Sequence, residues 1–196
     1  MNCHIVKGGV KLKKTVVLIL FFVALLLLTG YAYKNRVEKK IESIDTSRKY
    51  DFVGQKVKPF EIKDMKGTVL SESLFKDQKL TMTVFWSPNC LPCIEELDAL
   101  DKVYAQEKTL DFKLMSICVE GQAKDIQNLK GNYKMAYPIV VLKDDPFMKD
   151  CTKDFEFIPF VIFVDKNGIY LKEYLVGSRT YEEYMAHIRE LLKKIG

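Results

Sequence analysis

Histidine is nearly absent from this chain: its 196 residues hold only two, His4 and His187. One lies ahead of a long apolar run and the other inside the last helical pattern, so they do not form a metal site together. The five cysteines do not make up the shortfall. Cys90 and Cys93 form the only C-x-x-C pair, whereas a structural zinc site takes four ligands, typically as two pairs. Metal binding is therefore a minor reading. No basic block is interleaved with aromatics; 31 Lys and Arg are spread along the chain against 26 Asp and Glu, for a formal charge of +5. That distribution argues against nucleic-acid binding. Internal repeats are missing as well. The balance of 48% hydrophobic and 29% charged residues is that of a globular chain rather than a disordered one.

One stretch lacks charge altogether. Thr15 to Tyr33 reads TVVLILFFVALLLLTGYAY, long enough to cross a bilayer core as a helix, with Lys7, Lys11, Lys13 and Lys14 ahead of it. A cleaved signal peptide has a shorter apolar core that ends in small residues. Here bulky Tyr31 and Tyr33 flank the small Gly30 and Ala32, which favours an uncleaved anchor. Leu28-Thr-Gly-Tyr31 has the outline of a lipoprotein box, but Tyr31 stands where the cysteine is required, so lipidation there is not expected. Lys34, Arg36, Lys39 and Lys40 follow the run. Both flanks are basic, and charge alone does not orient the span. The expected plan is an N-terminus over 1–14, an anchor over 15–33, a polar stalk over 34–50 and a soluble domain over 51–196.

Within that domain Pro59, Gly67 and the charged turn at Lys63–Gly67 predict a small leading hairpin. Leu80 to Trp86 (LTMTVFW) is short, apolar and β-branched, a buried strand that Pro88-Asn89 breaks. Cys93, Leu97, Leu100 and Tyr104 recur at helical spacing on one face. Strands are expected over 112–119, 139–142, 160–164 and 169–176, and helices over 123–133 and 147–155. Asp165-Lys-Asn-Gly168 is a hairpin turn with Asn-Gly at its tip. Thr180-Tyr-Glu-Glu183 is a capping box that opens a final helix with Tyr181, Tyr184, Ile188, Leu191 and Ile195 on one stripe. Strands alternating with helices predict an α/β domain with a partly parallel sheet covered on both faces, closed by an antiparallel hairpin.

Cys90 and Cys93 sit where the first strand gives way to a helix, in SPNCLPCIEELDAL (Ser87–Leu100). As a passive staple the pair is weak, because disulfide stabilisation grows with loop length and this loop is minimal. Redox chemistry suits the placement better. Unpaired amides and the dipole at a helix N-terminus stabilise a thiolate, the attacking species in thiol–disulfide exchange. Cys90 is expected to attack a partner disulfide. Cys93, one turn in and facing the core, is expected to resolve the mixed intermediate. Pro92 falls in the first turn, where a missing amide costs little.

Phe85-Trp-Ser-Pro-Asn-Cys-Leu-Pro-Cys93 resembles the FWAxWCxPC segment of thioredoxin-like proteins, and the likeness extends over roughly residues 52–196. The leading segment, the Gly54-x-x-Val-x-Pro-Phe60 phrase and the anchor make the chain most similar to the TlpA/ResA type: extracytoplasmic, membrane-anchored thiol–disulfide oxidoreductases, often reductants in cytochrome c maturation. The resemblance implies a thioredoxin-like fold, a central mixed sheet flanked by helices, with an N-terminal extension hairpin and one transmembrane helix. It also implies a cytoplasmic N-terminus with the catalytic domain outside the membrane. Protein thiols and disulfides, apocytochrome c among them, are the implied substrates, with a membrane thiol as electron donor and no small-molecule cofactor.

Three positions carry over by this resemblance. Ile158-Pro159 matches the cis-proline site that packs beside the cysteines and helps to bind substrate backbone, with a simple strand-start proline as the alternative. Glu96 matches the acid three residues after the second cysteine, a proton acceptor whose pKa desolvation would raise. The plainer reading is a solvated glutamate, and adjacent Glu95 competes for the role. Trp86 matches the aromatic that flanks the site and is equally readable as core.

The chain also departs from the pattern. Asn89 replaces the common tryptophan before the first cysteine. Val84 stands in place of the buried aspartate of cytosolic thioredoxins, and Phe160 where threonine is frequent. Asp98 replaces a helix-kinking proline, so the helix is expected to run straighter.

Cys118 and Cys151 read as inert core thiols, as a second disulfide or as a relay to the active pair, and Cys3 as a reduced thiol near the membrane. The Leu91-Pro92 dipeptide lacks the histidine found between the cysteines of strong oxidants of this fold, which favours a reductant. One alternative is a copper-delivery protein of the SCO type, which this chain resembles in anchor and topology, although that type uses C-x-x-x-C and a distant histidine. Peroxiredoxins use P-x-x-x-T/S-x-x-C, which nothing here fits. A noncatalytic interaction domain is the remaining alternative.

Overall fold

The computed structural model describes residues 9–42, 50–142, 152 and 155–196. The chain divides into two units, Met1–Arg48 and Lys49–Gly196. In the first, α1 runs from Gly9 to Glu42. Its described side chains extend from Val16 to Ala32, and Val16–Val23 and Leu25–Leu28 are exposed apolar residues. Among the described residues no helix is long and apolar enough to cross a membrane; the described side chains cover less than the uncharged run at 15–33.

The second unit is built on a five-stranded sheet. Its strands are β3 (Leu80–Trp86), β4 (Phe112–Cys118), β5 (Ile139–Val141), β6 (Phe160–Asp165) and β7 (Tyr170–Val176), in the order β5-β4-β3-β6-β7. β3 pairs parallel with β4, and β4 with β5, while β6 runs antiparallel to both β3 and β7. Ahead of the sheet lies the expected hairpin, β1 (Glu61–Lys63) against β2 (Val69–Ser71), then a 3-10 turn over Glu72–Asp77. The helices are α2 (Leu91–Glu95), α3 (Leu97–Tyr104), α4 (Ala123–Leu129) and α5 (Tyr181–Ile195). The helix expected over 147–155 lies outside the described residues except for Thr152 and Phe155.

Every residue of β3 is buried, as expected of a central strand with both faces covered. Side chains alternate across it. Leu80, Met82, Val84 and Trp86 join Leu97, Leu100 and Val103 of α3 and Tyr184, Met185, Ile188 and Leu191 of α5. Phe85 faces the other way, into a cluster with Tyr50, Phe75, Met115, Phe160 and Val164. Burying each such side chain contributes about 1.5–3 kcal/mol. The capping box at α5 forms as its sequence predicts: Thr180 Oγ1 accepts from Glu183 N at 3.3 Å, and Glu183 Oε2 accepts from Thr180 N at 2.8 Å.

The helix after Cys90 departs from expectation. It does not run straight through Asp98 but breaks at Glu96, where φ is −92° and ψ −6°, separating α2 from α3. Proline is not needed for the break. The Glu96 side chain is drawn inward to partners on other elements, and the backbone loosens where it turns in.

Candidate active site

The strand-to-helix junction carries the cysteines. After β3, Ser87 is fully buried and closes a turn: its Oγ accepts from Asn89 N at 3.0 Å and its carbonyl from Cys90 N at 3.2 Å. Cys90 caps α2 in an extended conformation, and its carbonyl accepts from Cys93 N and Ile94 N, both at 3.1 Å. Pro92 stands in the first turn. Gly121, in the loop after β4, presses on this turn. It has φ +120°, and a Cβ there would meet Pro88 Cγ at 2.6 Å, so only glycine lets the two loops approach.

Cys90 and Cys93 are joined as a disulfide, with Cα atoms 5.2 Å apart. Cys90 is half-buried and Cys93 is 0% exposed. The asymmetry expected of an attacking and a resolving thiol is therefore built in. Ile158-Pro159 is cis. The Ile158 carbonyl oxygen lies 3.5 Å from Cys90 Sγ, a close contact rather than a hydrogen bond while the sulfur carries no proton. Leu91 and Phe157 stand 69% and 64% exposed in the two segments that meet here. Trp86 is placed differently from a surface residue: it is buried in the core and its Nε1 donates to Ser116 Oγ at 3.2 Å. It supports the site from within and presents no face to a partner.

Of the two adjacent glutamates, Glu95 is exposed and Glu96 is 2% exposed. Tyr184 Oη donates to Glu96 Oε2 at 2.8 Å, and Arg179 N donates to the same oxygen at 3.2 Å. Burial pushes the Glu96 carboxyl up to about 7; the Tyr184 and Arg179 hydrogen bonds and the Arg179 charge pull partly against it. One short loop ties this acid to the cis-proline. Gly177, at φ +82°, donates its N–H to Pro159 O at 2.8 Å, and Arg179, two residues on, holds Glu96.

The cysteines, Pro159 and Glu96 are legible in the sequence, whereas the contacts of Tyr184 and Arg179 with Glu96 are not. Tyr184 had a signal. It falls on the core stripe of the last helix, and a buried tyrosine hydroxyl needs a partner. The Arg179 contact comes from a backbone amide, which no side-chain pattern reveals.

Cys118 carries a free, buried thiol that donates to Glu120 O at 3.1 Å, and burial pushes its pKa up to about 11. Burial and the raised pKa both disfavour the thiolate, the reactive form. Cys3 and Cys151 lie outside the described residues. Burial lowers the His187 pKa, and its ring packs 5.1 Å from that of Phe163. Among the described residues, no group of three or more His, Cys, Asp or Glu side chains is placed to hold a metal ion.

A cis-proline facing a C-x-x-C disulfide on this sheet order defines a thioredoxin-like protein. Residues 53–191 match the AhpC/TSA family, and the chain belongs to it, within the thioredoxin-like superfamily of thiol–disulfide oxidoreductases. The chain is similar to the thioredoxin-like protein YneN of Bacillus subtilis (strain 168), 26% identical over 137 residues that span 66% of this chain and 75% of the relative. In fold it is similar to a thiol:disulfide interchange protein of the thioredoxin family from Chlorobium tepidum TLS, with a TM-score of 0.61, 18% identity and coverage of 72% of this chain and 98% of the other. StoA from Bacillus subtilis matches with a TM-score of 0.54, 21% identity and coverage of 66% and 95%.

Proposed function

We propose that this protein is a membrane-anchored, extracytoplasmic thiol–disulfide oxidoreductase that acts as a reductant on protein disulfides. The observation that carries this reading is the unequal pair itself: a half-exposed Cys90 bonded to a fully buried Cys93, with the Ile158-Pro159 segment on one side and a buried acid one turn further along the chain.

The reaction follows from that inequality. In the reduced protein the Cys90 thiolate attacks one sulfur of a substrate disulfide; a Cys90–substrate bond forms and the second substrate sulfur leaves with the electron pair. Cys93 then gives up its proton and attacks Cys90 Sγ. The Cys90–Cys93 bond forms, the mixed disulfide breaks, and the substrate departs with both sulfurs reduced. Two electrons have moved, and a thiol donor must restore the dithiol by the same steps in reverse. Glu96, held near neutrality by burial, is matched to taking and returning a proton at working pH.

The sequence and the family resemblance support the finer points. Leu91-Pro92 offers no histidine between the cysteines, which favours reduction. The uncharged run at 15–33, with apolar side chains exposed along α1, is suited to a bilayer. The resemblance to the TlpA/ResA type favours a catalytic domain outside the membrane and an N-terminus facing the cytoplasm. The resemblance to the TlpA/ResA type points to apocytochrome c as substrate.

Trapping tests the reading. Full-length Cys93→Ala, expressed in its host, should accumulate mixed disulfides on Cys90. Recovery of apocytochromes would support the maturation role. A broad set of secreted proteins would favour general disulfide repair, and no captured protein at all would contradict the reading.

A further inference from the structure

Glu96 is held unevenly. Oε2 receives two hydrogen bonds, from Tyr184 Oη at 2.8 Å and Arg179 N at 3.2 Å, while Oε1 is buried with no hydrogen-bonding partner among the described residues. A buried acceptor left unpaired is costly, so such an atom calls for a reason. The disulfide state supplies one. Cys93 has no proton while it is bonded to Cys90. Reduction creates an S–H on Cys93, three residues before Glu96 and buried in the cluster that also holds Tyr184. Cys93 is the buried residue of α2, and Glu96, the residue that ends this helix, is itself only 2% exposed.

We propose that Tyr184 is a positioning residue of the exchange reaction: together with the Arg179 amide it pins Glu96 through Oε2 and leaves Oε1 as the oxygen that trades a proton with Cys93. The inference rests on the oxidoreductase reading and deepens it. Its proton balance is closed: as Cys93 attacks Cys90 Sγ, its proton passes to Oε1, and the departing substrate thiolate is protonated from solvent. When a donor thiol later reopens the disulfide, Glu96 returns the proton to Cys93.

Tyr184 cannot itself be the base. Its hydroxyl is buried beside a carboxylate, and both effects hold it protonated far above neutral pH. It can only donate. Other groups act on the pair from each neighbouring element. Arg179, before α5, lowers the Glu96 pKa through its amide and charge; Tyr137, before β5, is a neutral phenol in the field of both Glu96 and Asp101. The Tyr137 hydroxyl donates to neither carboxylate among the contacts formed, which leaves Tyr184 as the phenol that fixes Glu96.

The test follows the Glu96 carboxyl carbon by NMR across pH in full-length protein labelled at glutamate, with Glu96→Gln to assign the signal. Wild-type protein should titrate near 7. Tyr184→Phe keeps the ring and removes the donor, so the midpoint should rise by about one pH unit. Resolution of a glutathione adduct on Cys90 should slow about tenfold at neutral pH, with its pH profile displaced by the same amount. Tyr174→Phe, in the ring cluster on the other face of the sheet, should move neither. Replacing Tyr184 with 3-fluorotyrosine, a stronger donor of equal shape, should shift the midpoint downward, which separates positioning from a folding defect. An unmoved midpoint in both Tyr184 variants would overturn the inference. Insulin reduction by wild-type protein is followed alongside. Its absence would bring down the oxidoreductase reading itself, whereas reduction with an unmoved midpoint would remove only the role given to Tyr184.

Discussion

On one face of the sheet, under α3 and α5, a carboxylate and two tyrosines are buried among aliphatic side chains. On the other, rings hold the surface together: Phe155 stacks on Phe160 at 4.1 Å, Phe160 on Tyr174 at 5.6 Å, and Tyr50 meets Phe160 and Tyr174 edge-on at 5.2 and 4.9 Å. Aromatic packing of this kind contributes through area and ring geometry and does not depend on protonation. A carboxylate buried at a helix break is poor packing and makes stability pH-dependent. The two faces should therefore respond differently to pH: the side that buries Glu96 carries a titrating group, and the ring-lined side is held by area and ring geometry.

Stability measured at two pH values separates the faces. The largest expected effect is on the ring-lined side. Phe160→Ala removes a side chain 1% exposed that packs against the rings of Tyr50, Phe155 and Tyr174, and should cost about 3–5 kcal/mol in urea unfolding, by the same amount at pH 5 and pH 8. A cost that changed with pH would break the comparison.

The next effect is on the polar side. Burial raises the folded-state pKa of Glu96 from 4.5 to about 7. Between those values the unfolded chain has released this proton while the folded chain keeps it. The contribution of Glu96 is therefore most favourable below pH 4.5, falls as pH rises to about 7, and is flat above. The total fall is about 3 kcal/mol. Glu96→Gln should abolish that slope in the disulfide form, measured as unfolding free energy against pH. A slope that survived the substitution would place its source elsewhere.

The smallest effect concerns two thiols that are equally buried. Cys93 and Cys118 are both 0% exposed, yet one is bonded to Cys90 and the other hydrogen-bonds to a local carbonyl. Cys118→Ser keeps a donor for Glu120 O and should cost about 1 kcal/mol, with insulin reduction unchanged. Lost activity would revive the relay that its raised pKa argues against.

Much of this architecture is legible in the chain because it is written locally. The unbroken apolar run 80–86, the Thr180 capping box and the Asp165–Gly168 turn each form where their own residues dictate. The cysteine pair is legible for the same reason: its spacing and its place after a strand carry the chemistry. What resists reading depends on partners far along the chain. Glu95 and Glu96 look alike in sequence; Glu96 goes inward because a tyrosine 88 residues away and a backbone amide 83 residues away meet it there. The break between α2 and α3 has the same origin. It lies at the residue that turns in rather than at Asp98, which replaces the helix-kinking proline of the family pattern. Trp86 was readable as flank or core, and the alternation of β3 decides for core.

Thiol–disulfide exchange by this protein requires the two sulfurs to be a reversible redox couple of unequal reach. Timed alkylation of the fully reduced chain at neutral pH, resolved by cysteine, tests this in one experiment. Cys90 should react at least about tenfold faster than Cys93, Cys118 should stay unlabelled, and oxidised glutathione should remove the Cys90 and Cys93 signals together and dithiothreitol restore them. Equal rates at Cys90 and Cys93, with no oxidation linking the two, would contradict it.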